Sequence, residues 1–163
     1  MAKMFLMTGP SGAGKTTLSA QLVHEQNLRY LSIENFYLAF FGDETAHIHE
    51  EEVWQSFYEA IKLAEKDGVD ILVDTNAPAR EDREWFSRLF PNFEINLIVV
   101  EAPEELCRAN NLVRARTIPE SDMDEIFANL EPVTDDEMKI YSSVNLYRNN
   151  DNSGVKFVKK IKG

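Results

Sequence analysis

The residues best suited to chemistry form a glycine-rich loop near the N-terminus, which fills the pattern G-x-x-x-x-G-K-[ST] between Gly9 and Thr16. Glycines allow backbone N–H groups to turn inward around a phosphate, and the N-terminus of a following helix adds its dipole. Lys15 of this pattern reaches the β- and γ-phosphates of a nucleotide, and the Thr16 hydroxyl holds Mg²⁺. The loop therefore predicts a site for ATP with Mg²⁺ that is formed by Gly9, Ser11, Gly12, Ala13, Gly14, Lys15, Thr16 and Thr17.

Two carboxylates follow apolar segments that are typical of strands. Asp74 ends the segment 69–74, and Glu34 follows the segment 29–33. The C-terminal ends of parallel strands meet at the ligand crevice of such a sheet. There, Asp74 can order Mg²⁺ through water or orient an acceptor, and Glu34 can take the proton of an acceptor hydroxyl. The alternatives are a turn or helix cap at Asp74 and, at Glu34, a helix-start acid that the helix dipole favours.

Three arginines precede Pro119 and form a local basic cluster in an acidic chain: Arg108, Arg114 and Arg116. Planar guanidinium groups stabilise the negative charge that spreads over a phosphoryl group during its transfer. A mobile loop that carries such groups can close over a nucleotide and exclude water. The cluster predicts an arginine-bearing lid, and its alternative is a solvated helix face.

Several other polar or reactive side chains carry weaker signals. Arg80 and Arg83 follow Asp74 closely and are expected either to bind the acceptor or to face solvent. The pair His47 and His49 has no third metal ligand indicated nearby and is expected at the surface. The single cysteine, Cys107, has no base placed beside it by the sequence and is expected to be a buried structural thiol.

The elements that must position these groups alternate between apolar strands and amphipathic helices. This alternation predicts a mostly parallel sheet covered by helices on both faces, a three-layer α/β domain over residues 1–163. The predicted strands cover 3–8, 29–33, 69–74, 95–100, 142–147 and 155–161, and the predicted helices cover 15–26, 50–66, 81–90, a segment opening at Pro103, and 119–130. Three aromatic residues of the helix at 50–66 are expected to lie in the core: Trp54, Phe57 and Tyr58.

Composition narrows the class of protein further. Hydrophobic residues make up 44% of the chain, which is enough for a packed core, and the net charge is −11. No apolar run approaches the ~20 residues that span a bilayer, and one cysteine cannot form an internal disulfide. We therefore expect a cytoplasmic protein with no membrane partner, and no protein partner is indicated. The acidic charge disfavours nonspecific binding to long polyphosphate chains.

The order and spacing of these segments resemble the kinase domain of phage polynucleotide kinase-like P-loop kinases, over about residues 3–147. The resemblance rests on the segments 9–17, 32–37, 74–76 with Arg80 and Arg83, 108–119 and 130–134. Kinases of that family phosphorylate hydroxyls, in the best-known case the 5′-hydroxyl of DNA or RNA, with ATP and Mg²⁺. By position, the resemblance implies that Glu34 stands at the general base, where the family has Asp, and that Asp74 stands at the acid after the third strand. It also implies that Arg116, with Arg114 or Arg108, belongs to the lid.

These observations together predict an ATP- and Mg²⁺-dependent kinase that transfers the γ-phosphoryl group to a hydroxyl. A polynucleotide 5′-hydroxyl is the leading expected acceptor, followed by the hydroxyl of a small molecule or nucleoside. A nucleotide-binding regulatory protein or NTPase is a further alternative. The chain lacks the Asn-Lys-x-Asp segment by which GTPases read guanine, and Tyr37 stands where polynucleotide kinases carry an arginine that binds a phosphate of the acceptor strand.

Overall fold

The computed structural model describes residues 1–42, 50–114 and 117–163. Six strands and seven helices lie within these residues. The strands are β1 (Lys3–Thr8), β2 (Arg29–Ser32), β3 (Ile71–Asp74), β4 (Glu94–Glu101), β5 (Ser143–Arg148) and β6 (Lys156–Lys162). The helices are α1 (Lys15–Gln26), α2 (Ile33–Phe41), α3 (Glu50–Asp67), α4 (Arg80–Leu89), α5 (Glu104–Leu112), α6 (Glu120–Ala128) and α7 (Asp135–Met138).

The strands form one sheet in the order β2-β3-β1-β4-β5-β6. The first five are parallel to one another, and β6 pairs antiparallel with β5. All four residues of β3 are buried, as expected for a central strand that is covered by helices on both faces. The predicted mostly parallel sheet is confirmed.

Helices cover both faces of this sheet. On one face, α3 buries Val53, Phe57, Ile61 and Ala64, which recur at helical spacing and have no exposed surface. On the other face, α1 and α5 pack Leu18, Leu22 and Cys107 against the strands. Each fully buried large apolar side chain contributes about 1.5–3 kcal/mol. The predicted three-layer α/β fold is therefore confirmed, and no helix of the described residues is long and apolar enough to cross a membrane.

The predicted burial is confirmed for Cys107 but only in part for the aromatic residues of α3. Cys107 has no exposed surface, and burial raises the pKa of its thiol to about 11, so the buried structural thiol is confirmed. Phe57 lies in the core as expected, but Trp54 and Tyr58 are only partly buried at the edge of that core. Both partly buried rings border cavities that are described below.

The segment after β2 differs from its prediction. Residue Ile33 was expected to end the strand, but it begins helix α2, so that Glu34 stands in the first turn of a helix. The segment is rich in aromatic residues, which favour strands by intrinsic preference. Its helical form follows from packing, because Ile33 and Tyr37 lie one helical turn apart and are both buried.

Arg83 of α4 was expected either to bind the acceptor or to face solvent. It lies instead in a buried ion pair. Its guanidinium donates two hydrogen bonds of 2.7 Å to the Glu137 carboxylate of α7, and both side chains are fully buried. The Tyr141 hydroxyl donates to the same carboxylate at 2.7 Å, and Arg83 also donates to the Pro78 carbonyl at 2.8 Å. Burial by itself would lower the pKa of Arg83, but the hydrogen bonds and charge of Glu137 raise it. The pair therefore fixes the loop between β3 and α4 in place.

Arg80 is held in a different way, at the surface. It forms ion pairs with Glu84 at 2.6 Å and with Asp136 at 2.8 Å. These hydrogen bonds keep the pKa of Arg80 above its ordinary value. Arg80 therefore joins α4 to α7 at their exposed ends and lines none of the cavities described below.

We expect Arg83→Met to lower the free energy of unfolding by about 3–5 kcal/mol, because it leaves the Glu137 carboxylate buried without a counter-charge. Urea denaturation of the variant and the wild type measures the difference. The control is Arg88→Met, which removes an exposed arginine 3.7 Å from Glu84 and should change stability little. Equal losses in the two variants would show that the buried pair has no special role.

Candidate active site

The register of the sheet brings the polar residues of three strands to one edge. Asp74 of β3 lies opposite Met7 of β1 on one side and opposite Ser32 of β2 on the other. Gly9 follows Met7 by two residues, and Glu34 follows Ser32 by two residues. The glycine loop and both predicted carboxylates therefore meet at the C-terminal ends of β1, β2 and β3, where parallel sheets bind ligands.

The backbone of the glycine loop adopts a conformation that side chains would prevent. Gly12 and Gly14 have φ of 87° and 97°, in the region that L residues rarely adopt. A Cβ atom on Gly12 would lie 2.5 Å from the carbonyl oxygen of Cys107 in α5. Helix α1 begins directly after Gly14, at Lys15. The loop is thus pressed against α5 and opens onto a helix N-terminus, which is the arrangement that binds phosphates.

Lys15 is the cation at the centre of the site. Only 6% of its surface is exposed, and its Nζ donates to the Gly9 carbonyl at 2.6 Å and to the Asn76 Oδ1. The Asn76 amide in turn lies 3.5 Å from Glu34 Oε1. Burial lowers the pKa of Lys15, while the charges of Asp74 and Glu34 act to raise it. A chain of polar contacts therefore links Lys15, which is predicted to bind phosphate, to the predicted base.

Asn76 is a site residue to which the sequence interpretation gave no role. It stands two residues after β3 with φ of 54°, a left-handed conformation that asparagine tolerates better than most residues. This conformation turns the chain and puts the Asn76 amide between Lys15 and Glu34. A polar residue just beyond a buried strand is the signal that could have identified it.

Asp74 and Thr16, the two residues predicted to bind Mg²⁺, line the same cleft of the structure. Asp74 is 9% exposed and accepts a hydrogen bond of 3.2 Å from the Tyr30 hydroxyl. Burial, with the charge of Asp74, raises the pKa of Tyr30 to about 12, so that Tyr30 stays protonated and donates. Mg²⁺ prefers hard oxygen ligands and usually retains phosphate and water ligands. The described residues contain no group of three His, Cys, Asp or Glu that could hold a metal ion by themselves, which is compatible with that mode of binding.

A cleft of about 390 Å³ contains most of the predicted site residues. The described residues that line it include Ser11, Gly12, Gly14, Lys15, Thr16, Thr17, Glu34, Asp74 and Arg114. Gly9 and Ala13 do not line the cleft; Gly9 accepts a hydrogen bond from Lys15, and Ala13 is buried beneath the loop. The fold therefore gathers the phosphate loop, both carboxylates and one of the three arginines into a single concave site.

The other two arginines of the predicted lid have different positions. Arg108 forms ion pairs with Glu104 at 3.2 Å, with Glu120 and with Asp124 at 2.8 Å, and its guanidinium lies 5.3 Å from the centre of the Phe127 ring. These contacts join α5 to α6, and Arg108 does not line the cleft. Arg116 lies outside the described residues, as do His47 and His49.

Three asparagines that the sequence interpretation did not select form one wall of the cleft. Asn110 of α5 donates to the Gly12 carbonyl at 2.8 Å, and Asn152 donates to Asn110 Oδ1 at 2.8 Å. The backbone N–H of Asn152 donates to Asn149 Oδ1 at 2.9 Å. In the sequence the run 149–154 indicated only a turn between strands. In the fold it rests on the phosphate loop and closes the cleft beside α5.

Comparisons with known proteins place this geometry among related folds. A family model described as "AAA domain" matches residues 4–133. A search of the curated proteins finds no match. Among solved structures, the chain is similar to an unliganded sugar kinase from Janibacter sp. HTCC2649, with 20% identity, a TM-score of 0.67, and coverage of 91% of this chain and 86% of that chain.

Two further solved structures come from larger chains. A chain of the Pnkp1/Rnl/Hen1 RNA repair complex is 18% identical with a TM-score of 0.69, covering 79% of this chain and 44% of that one. The structure of AvrRxo1-ORF1:-ORF2 with ATP is 14% identical with a TM-score of 0.72, covering 99% of this chain and 59% of that one. At these identities the likeness establishes the fold alone.

Proposed function

The chain belongs to the AAA domain family and has a P-loop kinase-like fold, and we propose that it transfers the γ-phosphoryl group of ATP to a hydroxyl. One observation carries the proposal: the phosphate-loop lysine and the Glu34 carboxylate face one cleft and are linked through Asn76. Binding a nucleotide needs only the phosphate loop. Transfer of the γ-phosphoryl group to a hydroxyl also needs a group near the γ-phosphate that takes the hydroxyl proton, and a carboxylate can do so. We propose that residues 1–163 act as a single kinase domain.

The proposed donor side consists of the glycine loop with Lys15 and Thr16. Backbone N–H groups of the loop hold the phosphates, and Lys15 neutralises the charge of the β- and γ-phosphates. Thr16 and Asp74 are the proposed ligands of Mg²⁺, with Asp74 acting directly or through water. When bound there, Mg²⁺ supplies positive charge that stabilises the transferring phosphoryl group.

The proposed acceptor side is centred on Glu34. The acceptor oxygen forms a bond to the γ-phosphorus as the bond from that phosphorus to the β–γ bridging oxygen breaks, and the electron pair of the broken bond leaves with ADP. Glu34 takes the hydroxyl proton. Arg114, which lines the same cleft, adds a fixed positive charge near the γ-oxygens. Arg116 stays a predicted lid residue, and the contacts of Arg108 support a role in holding α5 against α6.

Two acceptor classes fit a kinase of this fold. The expected 5′-hydroxyl of a polynucleotide is supported by the resemblance and by the structural likeness to a chain of an RNA repair complex. A small-molecule hydroxyl is supported by the likeness to a sugar kinase over most of both chains. We place the small molecule first, because a net charge of −11 opposes the approach of a polyanion.

Label transfer tests this proposal. The protein is incubated with γ-labelled ATP, Mg²⁺, and separate acceptors: DNA and RNA oligonucleotides with 5′-hydroxyl ends, neutral sugars and polyols, and amino alcohols. We expect label on a small alcohol and none on the oligonucleotides. Label on oligonucleotides alone would reverse the order of the two acceptors. Release of all label as inorganic phosphate, at a rate that no acceptor changes, would contradict kinase activity.

A further inference from the structure

Two cavities adjoin the phosphate cleft on the side of Glu34. The first, of about 420 Å³, lies between α2, α3 and α6 and shares Glu34 and Asn76 with the cleft. The second, of about 450 Å³, lies between α3 and α4 and shares Trp54, Thr75 and Asn76 with the first. An acceptor whose hydroxyl reaches Glu34 therefore occupies the first cavity and can extend into the second.

Within the part of the chain that the structure describes, the charged residues that line these cavities are all acidic. The first cavity is lined by Glu34, Glu50, Asp122 and Glu125, and the second by Glu81 and Asp82. Among the described residues, no lysine, arginine or histidine lines either one. The arginines Arg80 and Arg108 are held by carboxylates of their own. Arg88 lies 5.6 Å from the centre of the Trp85 ring and 3.7 Å from Glu84. Such walls repel a phosphate-bearing strand and attract a cation.

Aromatic residues line both cavities: Tyr37 and Trp54 the first, and Trp54, Tyr58, Trp85 and Phe86 the second. Trp54 borders both cavities, and its ring centre lies 5.6 Å from that of Tyr58 and 5.8 Å from that of Phe57. Tyr37 is buried, and burial together with the charge of Glu50 raises the pKa of its hydroxyl, which therefore stays neutral. Aromatic faces beside carboxylates are the surroundings that bind ammonium groups.

We propose that the acceptor is an alcohol that also carries a protonated amine, such as an amino alcohol or an amino sugar. The ammonium group is held by the carboxylates and aromatic rings of the two cavities, and the hydroxyl group is presented to Glu34. The proposal rests on the kinase function proposed above and specifies its acceptor. Because a protonated amine has no lone pair, it does not compete with the hydroxyl as a nucleophile, and the phosphoryl group goes to oxygen.

Binding is measured without turnover, through tryptophan fluorescence. The chain has two tryptophans, Trp54 and Trp85, and both line the second cavity. The probes are matched pairs that differ in the amine: ethanolamine against ethylene glycol, and glucosamine against glucose. We expect the amine of a pair to bind about tenfold more tightly than its neutral partner, which corresponds to about 1.4 kcal/mol.

The double variant Asp122→Asn/Glu125→Gln tests where this preference arises. It removes two carboxylates of the first cavity and should abolish most of the preference, because the amines lose the negative charges that hold them. Its control is Glu51→Gln/Glu105→Gln, which removes two exposed carboxylates that line neither cavity. Neutral probes that bind as tightly as amines, or a preference that survives in the double variant, would overturn the proposal.

The two proposals fail in different ways. Amine binding that depends on Asp122 and Glu125, with no phosphorylation of any acceptor of the panel, would contradict the kinase function and leave the cationic site standing. Phosphorylation of neutral alcohols or of oligonucleotides in preference to amines would confirm the kinase and overturn the cationic acceptor.

Discussion

Glu34→Gln is expected to lower kcat for phosphoryl transfer by about 10²–10⁴-fold, the usual contribution of a general base. The amide cannot accept the hydroxyl proton, yet it has nearly the same size and can still accept a hydrogen bond from Asn76, which lies 3.5 Å from the carboxylate. The Kd for ATP should stay close to that of the wild type, because the phosphate loop is unchanged. Steady-state kinetics with a saturating acceptor, together with ATP titration, measures both quantities.

A matched control separates this effect from a general change of charge. Glu105→Gln removes one carboxylate from the exposed surface of α5, and it should leave both kcat and the Kd for ATP unchanged. Full transfer activity in Glu34→Gln would show that Glu34 is not the base. Asp74, the other carboxylate of the cleft, would then be tested as Asp74→Asn.

Lys15→Ala is expected to weaken ATP binding about 10–100-fold and to abolish measurable transfer. The lysine is the buried cation of the phosphate loop, and hydrogen bonds to charged groups contribute about 1.5–3 kcal/mol each. Losing a fixed charge that stabilises the transition state costs a further factor of about 10²–10³ in kcat. Displacement of a fluorescent ATP analogue measures the first effect, and label transfer measures the second.

The control for Lys15→Ala is Lys62→Ala, at an exposed position of α3. It removes the same charge far from the phosphate loop and should leave ATP affinity and transfer unchanged. An unchanged Kd for ATP in Lys15→Ala would contradict the assignment of the loop. Glu34→Gln should lower transfer without weakening ATP binding, whereas Lys15→Ala should weaken both. The two variants therefore distinguish the acceptor side of the site from its donor side.

The donor side could be predicted from the sequence because its determinants are local. The predicted bounds of β1, Lys3–Thr8, and of α1, Lys15–Gln26, agree with the structure. An apolar run that ends at Gly9 defines the strand, and the spacing from Gly9 to Lys15 defines the loop and the start of the helix. The left-handed Asn27 then ends the helix.

The acceptor side could be predicted only in part, because its determinants are contacts between distant segments. The sequence does not reveal that Arg83 pairs with Glu137, 54 positions away, or that Arg108 is held by carboxylates of α6. The sequence around an arginine does not show whether its guanidinium group binds a phosphate or a carboxylate. Likewise, the acidic residues of the two cavities come from four helices, α2, α3, α4 and α6, and only the fold brings them together.

The most direct test of the central claim follows the fate of the γ-phosphorus by phosphorus NMR during turnover with Mg²⁺ and an amino alcohol. If the γ-phosphoryl group is transferred to a hydroxyl, one phosphomonoester forms for each ADP. The rate of ADP formation then depends on the acceptor, and Lys15→Ala abolishes it. ADP formed together with inorganic phosphate alone, at the same rate with and without any acceptor, would contradict the claim and identify an NTPase.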